Sequence, residues 1–321
     1  MLNREYLVKS NSKLNAFKEA DLLKNKKNAI IFSIIAMFLW GSAIPTIKTT
    51  YLEMGIGAAD TGEKILVAGL RFFMAGLITF LYLKIFNKED IKKNEINWKF
   101  IILVGILQTF IQYIFYYIGL SHIAGVKSSI IQASNSFIVV ILSLFLLPGD
   151  KINKNMILAL ILGTAGIIVT NMGKGNASEG FKITGDGFII LSTTVNALCT
   201  VLIRKYGQKE NSYFLMGAQF IIGSTLMIIT GLILRETSLS FSPKAVILLI
   251  YAAFISATAF TIWTIVLKHH SAGEFGVYKL FIPLFGSILS VLILGEAFTI
   301  NLAIGMALVL SGSLILNKGK N

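Results

Sequence analysis

Two cations sit where an apolar helix tolerates them least: Arg71 in GLRFFMAGLITF and Lys279 in GEFGVYKLFIPLFG. A guanidinium or ammonium in hydrocarbon costs on the order of 2–3 kcal/mol unless it is paired or hydrated, so each must face a bundle interior or an aqueous cavity. Neutral hydrogen-bonding side chains recur at helical spacing. Gln108, Gln112 and Tyr116 fall at i, i+4 and i+8 and share one face, flanked by Tyr113 and Tyr117. Ser128, Gln132 and Asn135 or Ser136 repeat the pattern in the next apolar run. Such stripes either bond one helix to another, at ~0.6–2 kcal/mol each, or line a wet cavity. Trp40, Arg71, Gln108, Gln112, Tyr116, Gln132, Asn135, Trp263, Tyr278 and Lys279 are the candidate solute-contacting set.

Lys279 has two readings. Its four-carbon stem can snorkel to the headgroups, or its ammonium can face a cavity beside carbonyls that Pro283 loosens. There a compact charge with three donors suits a carboxylate or phosphate. Arg71 and Lys279, one in each half with no acid opposing them, favour anionic or carboxylate-bearing solutes.

Enzymatic chemistry lacks its residues. There is no Walker-type loop, no H-E-x-x-H and no G-x-S-x-G, and the three histidines lie at or beyond the ends of apolar runs. No cofactor, no metal and no catalytic residue is expected. The 16 acidic residues lie in the tail, in linkers or within about a turn of a span end, so none stands at mid-membrane. The single cysteine, Cys199, excludes an intrachain disulfide.

The elements that carry these residues are membrane helices. With 55% hydrophobic residues and a mean hydropathy of +0.75, 321 residues do not make an ordinary soluble domain. Ten windows read as spans, near 28–50, 64–86, 97–119, 124–147, 153–171, 183–203, 211–234, 243–267, 273–294 and 299–316. Runs this long satisfy their backbone only as helices, so the fold class is all-α and integral to the membrane. The chain repeats itself. Arg71–Phe72 stands 148 positions before Gln219–Phe220, and Ala124–Gly125 stands 148 before Ala272–Gly273. Gly149–Asp150 precedes Gly295–Glu296 by 146, an offset that also relates Gly166 to Gly312 and Asn171 to Asn317. A tail at 1–27 thus precedes two five-span repeats, 28–172 and 183–317. An odd number of spans per unit inverts the second copy, an arrangement that marks secondary transporters with a midplane site.

The formal net charge of +13 follows topology. With the N-terminus inside, 20 cations flank the cytoplasmic ends and six the opposite ends. This positive-inside bias places both termini in the cytoplasm of a cell-membrane protein and removes the reason to expect nucleic acid. The basic tail, with scattered Leu7, Leu14, Phe17 and Leu22, reads as an interfacial amphipathic helix or as a tether. Ala159 and Gly163 in span 5, and Ala303, Ala307 and Ser311 in span 10, are small-residue stripes suited to close packing within the monomer or between two copies. His269 and His270 read as solvated linker residues.

The segments FLWGSAIPTIK, GLRFFMAG and IPLFGSILSVLILGEAFT, with the glycine-bearing last helix, resemble the EamA-type transporters of the drug/metabolite transporter superfamily over 28–317. The resemblance implies a central pocket among spans 1–4 and 6–9, with spans 5 and 10 peripheral. It also implies movement of amino acids, other small metabolites or toxic compounds, often outward; with the two inverted halves, the reading is a carrier of a small polar or zwitterionic metabolite, such as an amino acid, working by alternating access. Asn135 departs from the family pattern, since many relatives and this chain's own Pro283 have proline there; Gly149–Asp150 replaces Gly–Glu. A nucleotide-sugar or sugar-phosphate antiporter on the same fold is the alternative within transport. A membrane receptor or scaffold is the alternative outside it.

Overall fold

The structure, a computed structural model, describes residues 22–57, 59–86, 96–122, 131–132, 134–147, 153–171, 181–294 and 299–318. Among them it is helical, with no strand. Helices α1 (Lys26–Met54) and α2 (Thr61–Phe86) are continuous. Helix α3 runs as Trp98–Val104, a π-helical stretch Gly105–Ile111, and Gln112–His122. Helices α4 (Asn135–Leu146) and α5 (Lys154–Asn171) close the first half. The second half holds α6 (a π-turn Ile183–Gly187, then Phe188–Tyr206), α7 (Ser212–Leu234) and α8 (Pro243–His269). It ends with α9 (Ala272–Gly276, a 3-10 turn Val277–Leu280, and Phe281–Leu294) and α10 (Ile300–Lys318).

Local chemistry sets the boundaries. The side chains of Asn25, Asn97, Asn211, Ser242 and Ser271 accept from backbone amides at the starts of α1, α3, α7, α8 and α9, satisfying donors the helix leaves open. Gly55 ends α1 at φ 70, the left-handed conformation a side chain disfavours. Pro283 lacks the amide that would bond the Lys279 carbonyl, and the turn before it winds as a 3-10 helix, as its position predicts.

Among the described residues, seven helical stretches are long and apolar enough to cross a membrane: those of α1, α2, α3, α6, α7, α8 and α9. Three shorter apolar stretches, Asn135–Leu146, Lys154–Gly166 and Ala303–Gly312, fall within α4, α5 and α10. Much of predicted span 4, and Ser128 on it, lies outside the described residues, as does the tail before Leu22.

Contacts between helices come in matched pairs. Helix α1 packs on α8 and α9, while α6 packs on α3 and α4; α2 meets α8 as α7 meets α3. Exchanging the first five helices with the last five reproduces the set, and α2–α7, α4–α9 and α5–α10 map onto themselves. Glycines show the same exchange at atomic scale. A Cβ on Gly69 would lie 2.8 Å from Ile228, and one on Gly217 would lie 3.2 Å from Phe80. Between α5 and α10, a Cβ on Gly166 would lie 2.6 Å from the Gly305 carbonyl, and one on Gly312 would lie 2.9 Å from that of Ala159. Each contact is the other's image at the repeat offset.

Of the two uses expected of the α10 stripe, packing within the monomer is not what the structure shows. Ala303, Ala307 and Ser311 face outward, and Gly305 and Gly312 make the close contact with α5 inside one chain. On α5, Gly163 abuts Leu280 of α9.

Candidate functional site

Lys279 lies seven residues into α9, about 10 Å along the axis at the helical rise. Its ammonium does not run back to the headgroups. It donates to Asn196 Oδ1 (2.8 Å), Thr200 Oγ1 (3.0 Å) and Asn135 Oδ1 (3.2 Å), and lies 5.3 Å over the Trp263 ring. All three of its donors are thereby used. The network extends to α3, because Asn196 Nδ2 donates to Gln112 Oε1 (3.0 Å) and Ser192 Oγ to the Gln112 carbonyl (2.8 Å). Both readings of Lys279 are corrected: it neither snorkels nor faces open space, but is held by neutral oxygens from α4 and α6.

Asn135 explains its own departure from proline. Its Nδ2 donates to Asn196 Oδ1 (3.1 Å) and to the Thr193 carbonyl (3.0 Å) while its oxygen receives Lys279. A proline there would leave α4, α6 and α9 without this junction. Ser136 adds a bond to the Gly276 carbonyl (3.0 Å).

Arg71 is ten residues into α2, about 15 Å along its axis. It is 4% exposed, its Nε donates to Ser256 Oγ on α8 (2.9 Å), and its Cζ lies 5.0 Å from the Phe72 ring. It lines a water-sized pocket of about 10 Å³ with Ile47, Thr50, Tyr51, Val67, Ala68, Tyr117, Leu249 and Ala252. These residues come from the end of the bundle that holds the α1–α2 and α7–α8 connections. Tyr51 and Tyr117 share a hydrogen bond within it. No member of the Lys279 network lines this pocket, so the two cations expected in one site occupy two.

Aromatic rings join the two places. Phe72 contacts Phe260 (6.4 Å between centroids), Phe260 contacts Trp40 (4.9 Å) and Trp40 contacts Trp263 (6.2 Å). The sequence-derived set is thus distributed. Gln112, Asn135, Trp263 and Lys279 converge; Trp40 bridges toward Arg71; Tyr116 hydrogen-bonds Gln132 at the α3–α4 side. Tyr278 stacks on Phe281 and tilts against Phe275. Gln108 lies within the π-helical stretch and is buried, with its Oε1 lacking a hydrogen-bond partner. The same is true of the indole nitrogens of Trp40 and Trp263. Thr50, Tyr51 and Thr200 escaped the sequence reading. Thr200 was recoverable, being four residues after Asn196 on the same helical face.

The pocket's lining residues have buried equivalents in the other half. Val67, Ala68 and Arg71 map to Leu215, Met216 and Gln219, and Leu249 and Ala252 map to Ile101 and Val104. Both sets are buried, the pocket residues at 2–5% exposure and their images at 0%. There Gln219 accepts from Thr109 Oγ1 (2.6 Å), where Arg71 meets Ser256.

Polar ties hold both ends. At the end of the α1–α2 connection, Lys244 pairs with Glu53 (2.7 Å), and Glu63 accepts from the amides of Glu236 and Thr237. At the other end Lys26 pairs with Glu274 (2.8 Å), Arg204 donates to the Leu267 and Lys268 carbonyls, and Lys268 bonds the Glu210 carbonyl. His270, expected to be solvated, stacks on Phe275 and hydrogen-bonds the Leu23 carbonyl (2.7 Å), docking the end of the tail.

Comparison with known proteins agrees with this architecture. The model of the EamA-like transporter family matches residues 27–172 and 183–318. The Bacillus subtilis (strain 168) protein called uncharacterized transporter YetK is 24% identical over 300 residues, covering 91% of this chain and 87% of its own. Uncharacterized transporter YvbV of the same organism is 25% identical, covering 92% and 93%. A solved structure described only as "Crystal structure of protein" superposes with TM-score 0.77 at 17% identity, over 92% of this chain and 100% of that one. That likeness concerns the fold alone.

Proposed function

The chain belongs to the EamA-like transporter family, and from that premise we propose that it carries a small polar metabolite, an amino acid or similar solute, by alternating access between two inverted five-span halves. One observation carries the reading. The helix contacts and the close glycine contacts repeat when the first five helices are exchanged with the last five. Two like halves related in this way can exchange conformations about a site between them, which supports the carrier reading. In the proposed topology α4, α5 and α10 complete ten spans, both termini are cytoplasmic in the cell membrane, and the Arg71 pocket faces outward. The solute site is the midplane region where Trp40 and Trp263 present unpartnered indole donors beside the Lys279 network. Buried donors without partners are costly, and a polar solute satisfies them. Flux runs outward in the cell, and a second copy packs on the exposed Ala303, Ala307 and Ser311 face of α10. Phosphate-bearing sugars are disfavoured, because Arg71 and Lys279 do not converge.

The test has two steps. Purified protein is screened against metabolites for thermal stabilisation, since a ligand of the folded state raises apparent stability. The stabilising solute is then loaded into proteoliposomes, and uptake of its labelled form is measured. A carrier shows uptake accelerated by internal solute; identical rates with and without it would sink the alternating-access reading.

A further inference from the structure

We infer that Arg204 is a positioning residue that latches its end of the bundle, tying α6 to the last turn of α8, and that this tie breaks whenever that end opens. The inference rests on the transport reading above, which requires each end to open once per cycle.

Helix packing divides the chain into two groups. Helices α1, α2, α8 and α9 pack together, as do α3, α4, α6 and α7, and exchange of the repeats turns one group into the other. An inverted-repeat carrier moves such groups against each other about a site between them. Some contacts between the groups need not change in that exchange. The α2–α7 contact is its own image, and the α2–α3 and α7–α8 contacts are images of each other. The contact of α6 with α8 is different, because α1 and α3, described along their whole length, make no comparable contact. A contact formed at one end and not at its image is one that the exchange must break.

The chemistry of the two ends matches this difference. The last carbonyls of α8 have no acceptor role left within their own helix. Arg204, in the last turn of α6, donates through one terminal nitrogen to the carbonyls of Leu267 (3.0 Å) and Lys268 (2.6 Å). Its charge also meets the negative end of the α8 dipole. Gln208 donates to the Leu267 carbonyl (3.4 Å), and Lys268 bonds back to the Glu210 carbonyl. Nearby acids are bound elsewhere: Glu210 accepts from the Asn97 amide, and Glu274 pairs with Lys26. At the opposite end α1 and α3 each close on themselves. The Gly55 and Ile56 amides donate to the Leu52 and Tyr51 carbonyls, and His122 Nδ1 donates to the Ile118 carbonyl. There the Tyr51–Tyr117 hydrogen bond, beside the water-sized pocket, stands where the Arg204 end has a guanidinium across two carbonyls.

The native thiol of Cys199 reports the opening. It is buried on α6, five residues before Arg204 and within electrostatic reach of Lys279, so a reagent meets it only when an end opens. Its modification by the membrane-impermeant sulfonatoethyl methanethiosulfonate is followed in intact cells and in inverted membrane vesicles, and read on the purified protein. The two preparations present opposite faces. A thiol from Lys209→Cys, in the connection after Arg204 and in a Cys199→Ser background, marks the one that exposes the Arg204 face. From that face Cys199 should react about tenfold faster in Arg204→Gln than in the wild type, a shift within the range of conformational couplings. From the opposite face it should react no faster, whereas a variant that is merely loosened reacts faster from both. Arg204→Lys keeps the charge without the fork, so its rate should fall between the two, and it carries the test if Arg204→Gln does not fold. Lys26→Ala, which breaks an ion pair inside one helix group at the same end, should leave the rates unchanged. Wild-type rates from the Arg204 face in both Arg204 variants, an equal rise from both faces, or an equal rise in Lys26→Ala would each overturn the latch. Labelling reads opening without transport, so its failure leaves the carrier reading standing, and failed counterflow leaves this result interpretable.

Discussion

Replacing Lys279 by methionine separates a binding lysine from a structural one. Methionine keeps the length of the stem and removes the three donors. Of the three oxygens released, Asn196 Oδ1 still accepts from Asn135 Nδ2 (3.1 Å), and Thr200 Oγ1 keeps its own bond to the Asn196 carbonyl (3.0 Å). Only Asn135 Oδ1 loses its one partner, at about 1–3 kcal/mol for a buried acceptor. Against this, the substitution relieves the burial of an ammonium, which costs about 2.5–3.5 kcal/mol at a helix centre. The two effects nearly cancel, leaving a net change within about 2 kcal/mol. At no more than about 4 °C per kcal/mol, the apparent Tm should move by less than about 8 °C. Transport should fall at least tenfold if the ammonium meets the solute, since one charge-assisted bond exceeds the ~1.4 kcal/mol that a factor of ten requires. The assay pairs a thermal melt with initial uptake, into proteoliposomes, of the solute that stabilises the wild type. Lys279→Arg keeps the charge but must seat a planar fork among oxygens arranged for a compact ammonium, so it should recover only part of the rate. A melt lowered by far more than 8 °C with residual transport intact would refute the reasoning, and so would wild-type transport in the methionine variant.

Other outcomes follow from the packing and the topology. Gly166→Ala and Gly312→Ala each drive a methyl into a backbone carbonyl of the facing helix and should cost about 1–3 kcal/mol in thermal melts, with similar losses because the contacts are images of each other. A cysteine introduced by Ser238→Cys in the α7–α8 connection, in a Cys199→Ser background, should react with an impermeant thiol reagent on intact cells, whereas one from Lys209→Cys should not; the reverse pattern would invert the topology. Lys26→Ala breaks a partly exposed ion pair and should change stability by less than about 1 kcal/mol. Every described acid lies in a helix-end turn or a connection, so counterflow should persist in the presence of a protonophore.

Much of this could be read from sequence because membrane helices announce themselves. Their backbone has no alternative to helix in hydrocarbon, so length and apolarity alone locate them. Repeat offsets carried the pairing as well: Gly166 and Gly312, recognised only as equivalents, are where α5 and α10 touch. What escaped was direction. The stripe of Gln108, Gln112 and Tyr116 assumed an uninterrupted α-helix, but Gly105–Ile111 winds as a π-helix; Gln112 meets Asn196, Tyr116 meets Gln132, and Gln108 Oε1 has no hydrogen-bond partner. Burial depth marked Lys279 as expensive yet did not say who shares the expense, because Asn196 and Thr200 come from a helix some eighty residues away. His270 looked like linker for the same reason, its partners being the Leu23 carbonyl and the Phe275 ring.

The repeats share a scaffold and differ in chemistry, and that difference has a consequence for how the carrier cycles. Under alternating access, the opposite state exchanges the conformations of the halves: the α2–α8 contact around Arg71 tightens and the α7–α3 contact around Gln219 opens. In the proposed cycle the inward-facing counterpart of the Arg71 region is built of Leu215, Met216, Ile101 and Val104, buried here, about the neutral amide of Gln219. Thr109 already holds that amide, whereas Ser256 holds only the Nε of Arg71. Under the proposed cycle and topology, an anionic solute would meet a charge on the outer side and none on the inner side. Affinity measured from the two faces should differ, being tighter and more salt-sensitive outside. Gln219→Arg, which restores the charge symmetry of the repeat, should bring the two affinities together.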